Sequence, residues 1–195
     1  MSKAERTKQF IIEQAAPVYN SKGIAGTNVD DILEATKLTK GAIYSHFINK
    51  DDLSIQVTEY LLKKIITGTD QAMKKGETAK EKIFAYLDFN ATPLETYIKG
   101  GCPIFNLAVE FDDSNDCFKS KVAETMLKSQ KYFAGILRDG VKNGEFSPDL
   151  NPEAFAFKMY ASVEGGLVMS RILGIESAMI GLINDLKKEL ESYTH

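Results

Sequence analysis

The stretch Thr39-Lys40-Gly41-Ala42-Ile43-Tyr44-Ser45-His46-Phe47, followed closely by Asn49-Lys50-Asp51-Asp52-Leu53, decides how this chain is read. Thr39 and Asn49 are residue types whose side-chain oxygens satisfy the orphan amides of a helix start. The stretch therefore predicts a short helix from Thr39 and a longer one from Asn49 to about Lys75, closed by Gly76. In the short helix Ile43 and Phe47 lie one turn apart and can share a buried face. Lys40, Gly41, Ala42, Tyr44 and Ser45 are left facing outward. Upstream, Asn28-Val29-Asp30-Asp31 reads as another helix start, capped by Thr27 or Asn28, with acids where the helix dipole favours them. That helix ends near Thr36 and turns Ile32 and Leu33 inward. A first helix precedes it, from about Lys3 to Ser21, with Phe10, Ile11, Ala15, Val18 and Tyr19 on its apolar face. Pro17 inside it removes one backbone donor and is expected to kink it, and Gly23 is a natural stop.

Two short helices joined by a few residues, with a third packed on both, form the outline of a helix-turn-helix. The second helix of that motif enters the DNA major groove, so it needs small or polar residues toward base edges and an apolar face toward the core. Lys40 to Ser45 meet those terms, and Thr27, His46 and Lys50 flank the helix where phosphates would lie. Two residues stay open to a second reading: Tyr44 as a half-buried core ring, and His46 as a cap of the helix. Lys22 and Lys37 are read as solvated.

The run Gly23-x-x-x-Thr27-x-Val29-x-x-Ile32, then Thr39-Lys40-Gly41-Ala42-Ile43-Tyr44-x-His46-Phe47, then Asn49-Lys50-Asp51-Asp52-Leu53, resembles the DNA-binding domain of the TetR/AcrR family of transcriptional regulators. The resemblance implies an all-α chain. It implies a three-helix helix-turn-helix domain in residues 1–50 and a helical ligand-binding and dimerisation domain in residues 51–195, linked by the helix at about 51–75. It places Lys40, Gly41, Ala42 and Tyr44 on the recognition helix, and Thr27, His46 and Lys50 at backbone contacts. Its partners would be double-stranded operator DNA, a small-molecule effector and a second copy of the chain. Pro17 departs from the family pattern and puts only the straightness of the first helix in question.

Composition bounds the alternatives. The chain has 195 residues, 44% apolar and 26% charged, and a formal net charge of -3. Residues 1–50 carry seven basic and five acidic side chains, so a slightly basic head precedes an acidic body. No apolar run approaches the roughly 20 residues that span a bilayer, and the first residues form no apolar signal core. The chain is thus read as cytoplasmic, unprocessed and without a membrane partner. Two cysteines, Cys102 and Cys117, are too few for a disulfide framework, and the two histidines, His46 and His195, make no metal-ligand spacing. No phosphate loop, nucleophile elbow or metal motif stands out, so no enzyme, cofactor or metal is expected.

The remainder predicts helices near 78–97, 104–110, 116–142, 152–173 and 176–193, with joints at Gly100-Gly101, Asp112-Asp113-Ser114, Gly144 with Pro148, and Gly174. The last two helices carry Phe155, Met159, Val163, Gly166 and Leu167, and Met179, Leu182, Ile183 and Leu186. Of these, Phe155, Val163, Gly166, Leu167, Met179, Leu182, Ile183 and Leu186 are the candidate dimer interface; an internal core is the other reading. Phe84, Phe89, Cys102, Phe105, Asn106, Val109, Met126, Phe133, Met159 and Tyr160 are candidates to line a pocket for a lipophilic ligand, against the alternative of a packed core. Gly101-Cys102-x-x-x-Asn106-x-x-x-Glu110 resembles a segment of one subgroup of the family, with Asn106 and Glu110 available as polar contacts. Cys102, just before a helix start, is read either as a thiolate that senses electrophiles or as an inert buried thiol.

Overall fold

The structure, a computed structural model, describes residues 2–93, 96–113 and 116–194, so the expected joint residue Ser114 and the terminal His195 lie outside the described residues. Nine α-helices and no strand occur among the described residues: α1 (Lys3–Lys22), α2 (Val29–Thr36), α3 (Lys40–Tyr44), α4 (Lys50–Met73), α5 (Ala79–Phe89), α6 (Pro103–Phe111), α7 (Asp116–Lys142), α8 (Pro152–Leu173) and α9 (Glu176–Glu191). Their starts are written in short polar residues. Ser2 with Glu5, Asn28 with Asp31 and Thr78 with Glu81 form reciprocal capping boxes. Thr39 and Asn151 accept the amides of Ala42 and Ala154, and Asn49 accepts that of Asp52 at 2.8 Å. Pro17 does not end α1, which continues from Lys3 to Lys22. The expected helix to residue 97 is corrected: α5 stops at Phe89. Pro93 follows four residues on and disfavours helix in the residue before it.

The chain packs as two units. The first comprises residues 1–65 and 98–122, the second residues 66–97 and 123–195. The packing therefore does not divide at residue 50, because α6 belongs with the first three helices. In the first unit Ile11, Ala15 and Tyr19 of α1 meet Ile32 of α2, Ile43 of α3 and Leu53 and Val57 of α4, all buried. Phe10 is 41% exposed and Ile12 and Ala16 are buried instead, so the inward face of α1 is turned from the one expected. Tyr19 and Ser54 hydroxyls hydrogen-bond at 3.0 Å inside this core. In the second unit α8 packs on α9 and α9 on α5, around Ile83, Leu87, Phe133, Leu137, Met159 and Met179. Among the described residues no helix is long and apolar enough to cross a membrane.

Candidate nucleic-acid interface

α3 is fixed from one side and free on the other. Ile43 is 1% exposed and Phe47 2%, and together they pin the helix to the first unit's core. Lys40 and Gly41 are exposed, and Ala42, Tyr44 and His46 are half-buried. A Cβ added at Gly41 would meet nothing within 4 Å, so the fold does not itself require glycine there. The turn that delivers α3 passes through Lys37, which holds a left-handed conformation at φ 57°. Lys37 is the non-glycine residue with positive φ among the described residues. Lys22 is engaged with Asp31 at 2.5 Å. The Asp31 carboxyl is held below its ordinary value, first by the hydrogen bond from Lys22 and then by that from the Asn28 amide. The Asp52 carboxyl, at the start of α4, is likewise lowered by the Ile48 amide and Gln56.

Two expected phosphate contacts have internal partners. Thr27 is 1% exposed and its hydroxyl donates to the Gly23 carbonyl at 2.6 Å. It closes the turn between α1 and α2, and there its hydroxyl proton is engaged within the fold. Lys50 is half-buried and its Nζ donates to the Ile24 carbonyl at 3.3 Å. Two residues of this turn's surroundings were missed as structural partners. Glu110 on α6 accepts the amides of Ile24 at 3.0 Å and Ala25 at 2.8 Å. Asn106, one turn earlier, donates to the Asn20 carbonyl at 3.0 Å and the Gly100 carbonyl at 3.1 Å. Their spacing of four was visible in the sequence, but nothing in it says which neighbour that face meets.

The amino-acid pattern and the fold both have close counterparts. The sequence model for bacterial regulatory proteins of the tetR family matches residues 11–57, and that for the tetracyclin repressor-like C-terminal domain matches residues 79–184. The chain belongs to the TetR family of transcriptional regulators. Within the family, a crystal structure of a regulator from Cytophaga hutchinsonii is 33% identical, covers 100% of this chain and 98% of its own, and superposes with a TM-score of 0.89. A second, from Chloroflexus aurantiacus J-10-FL, is 28% identical over 100% of this chain and 98% of its own, with a TM-score of 0.93. The HTH-type transcriptional repressor DhaR of Mycobacterium sp. (strain GP1) is 24% identical over 85% of this chain and 82% of its own length. α2 and α3 are thus the helix-turn-helix of a DNA-binding TetR regulator.

The remaining expected positions fall in both units of this TetR-family chain. Phe133, Met159 and Tyr160 are buried in the second unit's core, with Phe84 and Met126 packed against it and the rings of Phe133 and Tyr160 6.1 Å apart. Phe89 stacks at a tilt on Tyr97 with centroids 5.3 Å apart. Cys102, Phe105, Asn106 and Val109 belong to the first unit. The Asn106 side-chain NH2 is directed to α1 and the Gly100 carbonyl. Val109 is 64% exposed. Cys102 is the half-buried N-cap residue of α6, and its side chain accepts no capping amide. A surface cleft of about 390 Å³ in the second unit is lined by Glu77, Thr78, Lys82, Asp139, Asn143 and Glu145 among others, none of them an expected pocket residue.

Most of the residues expected at a dimer interface lie inside the single chain. Phe155, Val163, Leu167, Met179, Ile183 and Leu186 are buried within one chain. Gly166 lets Met179 and Leu182 approach: a Cβ there would lie 2.5 Å from Leu182 Cδ2. These residues hold α8 to α9 internally. The large apolar side chains that stay exposed on the same helices are Phe157 at 67%, Met169 at 63%, Ile172 at 80%, Leu173 at 60% and Ile180 at 46%.

Proposed function

We propose that this chain is a ligand-responsive repressor that binds a two-fold symmetric operator as a homodimer and is released by a small lipophilic or electrophilic effector. The observation that carries the DNA reading is α3 itself. Its apolar side is buried at Ile43, while Lys40 and Gly41 stand free on the other side. Glycine is a poorer helix former than alanine, and this one, in the first turn of α3, relieves no internal clash. A groove wall approaching the backbone supplies the missing reason. Lys40, Tyr44, His46 and Lys50 are assigned to base edges and phosphates.

The dimer is assigned to the exposed strip of α8 and α9. Phe157, Ala161, Gly165, Met169 and Ile172 recur at helical spacing along one side of α8, and large exposed apolar strips mark interfaces. A two-fold dimer would present its paired α3 helices to half-sites about 34–36 Å apart. Repression is supported by the relative DhaR, itself a transcriptional repressor, and a lipophilic effector by the aromatic and methionine content of the second unit.

The test is selection from a random double-stranded DNA library with purified protein at fixed salt. A two-fold symmetric consensus is expected, with affinity falling steeply as salt rises. A folded protein that enriches no sequence would overturn the reading.

A further inference from the structure

The turn from Gly23 to Gly26 carries the chain from α1 into α2, and two side chains from elsewhere in the first unit grip it. Glu110 places Oε2 on the Ile24 amide at 3.0 Å and Oε1 on the Ala25 amide at 2.8 Å. Lys50, the first residue of α4, donates to the carbonyl of the same Ile24 at 3.3 Å. α6 is itself held against α1: Asn106 donates to the Asn20 carbonyl and side chain, at 3.0 and 3.2 Å. Asn20, only 6% exposed, donates to the carbonyls of Lys99 and Gly101 at 2.9 and 3.0 Å.

The turn needs such a grip. Gly23 sits at φ +78°, and a Cβ there would press on the Glu110 carboxylate at 3.0 Å. A Cβ at Gly26 would collide with the Lys22 carbonyl. Glycine at both places makes this path possible but also gives it extra backbone freedom to lose on folding. A carboxylate on two successive amides restricts it through charge-assisted hydrogen bonds, stronger than neutral ones. The electrostatics sharpen the point. An acid on the unit that meets phosphates works against DNA affinity, so Glu110 calls for a reason other than charge.

We propose that Glu110 is a positioning residue for operator binding. Its carboxylate presets the Gly23–Gly26 turn, and with it the seat of α2 and the α3 that follows. α6 thereby acts as part of the DNA-reading unit. This inference rests on the proposed DNA-binding reading.

The test compares the full-length protein with Glu110→Gln, which keeps the size, removes the charge and presents an amide donor to amide donors. Hydrogen exchange at Ile24 and Ala25 is expected to quicken about tenfold, and operator affinity to fall about tenfold, the effect of losing one strong hydrogen bond. Affinity for random-sequence DNA should hold or rise slightly, since phosphate contacts are untouched and one acid is gone, and the salt slope should hold. A role as charge alone predicts the reverse, tighter binding to all DNA. Operator affinity equal to or above that of the parent protein overturns the inference. So does an equal fall for operator and random DNA, which marks mere loss of fold. A second measurement needs no variant: in the free parent protein both amides should already be protected. Protection that appears only when operator is added overturns the preset turn. Parent protein that enriches no operator takes down the DNA reading and this inference together, whereas parent binding matched by Glu110→Gln takes down this inference alone.

Discussion

Gly41 and Lys37 are each placed against local preference, and in opposite senses. Gly41 occupies a helical position with open space around its missing Cβ. Gly41→Ala should stabilise the free protein, by at most about 1 kcal/mol, read by urea unfolding, and weaken operator binding at fixed salt. A gain in both would remove the close groove approach. Lys37 sits at φ 57°, where a side chain is strained. Lys37→Gly should raise stability by about 0.5–1 kcal/mol in the same assay, the gain limited by glycine's freedom in the unfolded chain. The carboxyls of Asp31 and Asp52 are held below their ordinary value of 3.8 by hydrogen bonds formed only in the fold. Because the folded state binds protons less readily, their contribution is full above that value and is lost as pH falls through the lowered ones. The thermal midpoint should hold from neutral pH to about 4 and then drop, and Asp31→Asn should lower the neutral midpoint while making the acid drop shallower. Tyr19 has the opposite sense: burial raises its pKa from 10.0, so its contribution is full below that value and is lost as pH rises from there through the raised one.

Helix starts were legible because caps are local chemistry. Ser2, Asn28, Thr39, Thr78 and Asn151 each bond an amide three residues on, a distance the sequence encodes directly. The end of α5 was misjudged where periodicity was followed past Pro93. Faces were harder. α8 carries apolar residues on two sides, one with Phe155, Met159 and Val163 and the other with Phe157, Met169 and Ile172. Periodicity shows both and ranks neither. The glycine pair separates them. Gly166 abuts Leu182 and Met179, whereas a Cβ on Gly165 meets nothing within 4 Å. Gly166→Leu should therefore destabilise by about 1–3 kcal/mol through overpacking, and Gly165→Ala should leave the stability of the isolated chain unchanged or raised. Chemical denaturation of the two variants decides it; equal effects would mean the glycines are not on different faces.

At the scale of the molecule, the prediction concerns association. Ile172 is 80% exposed on the strip assigned to the second copy. Ile172→Glu should give a monomer in sedimentation velocity, with an unchanged helical spectrum and with operator binding weakened far more than binding to random DNA. A variant that stays dimeric would move the interface off α8.

By itself the sequence determined the all-helical class, the family and the helix-turn-helix. Those rest on caps, spacing and a short motif, all within a few residues of one another. Only the tertiary structure decided which side of α8 is core, that Thr27 is buried, and that Asn106 and Glu110 bond α1 and its turn. The partners in those contacts lie about 80 or more residues apart in the chain. Helical periodicity specifies a face, but which distant backbone amide comes to that face is set by packing, and no local pattern records it.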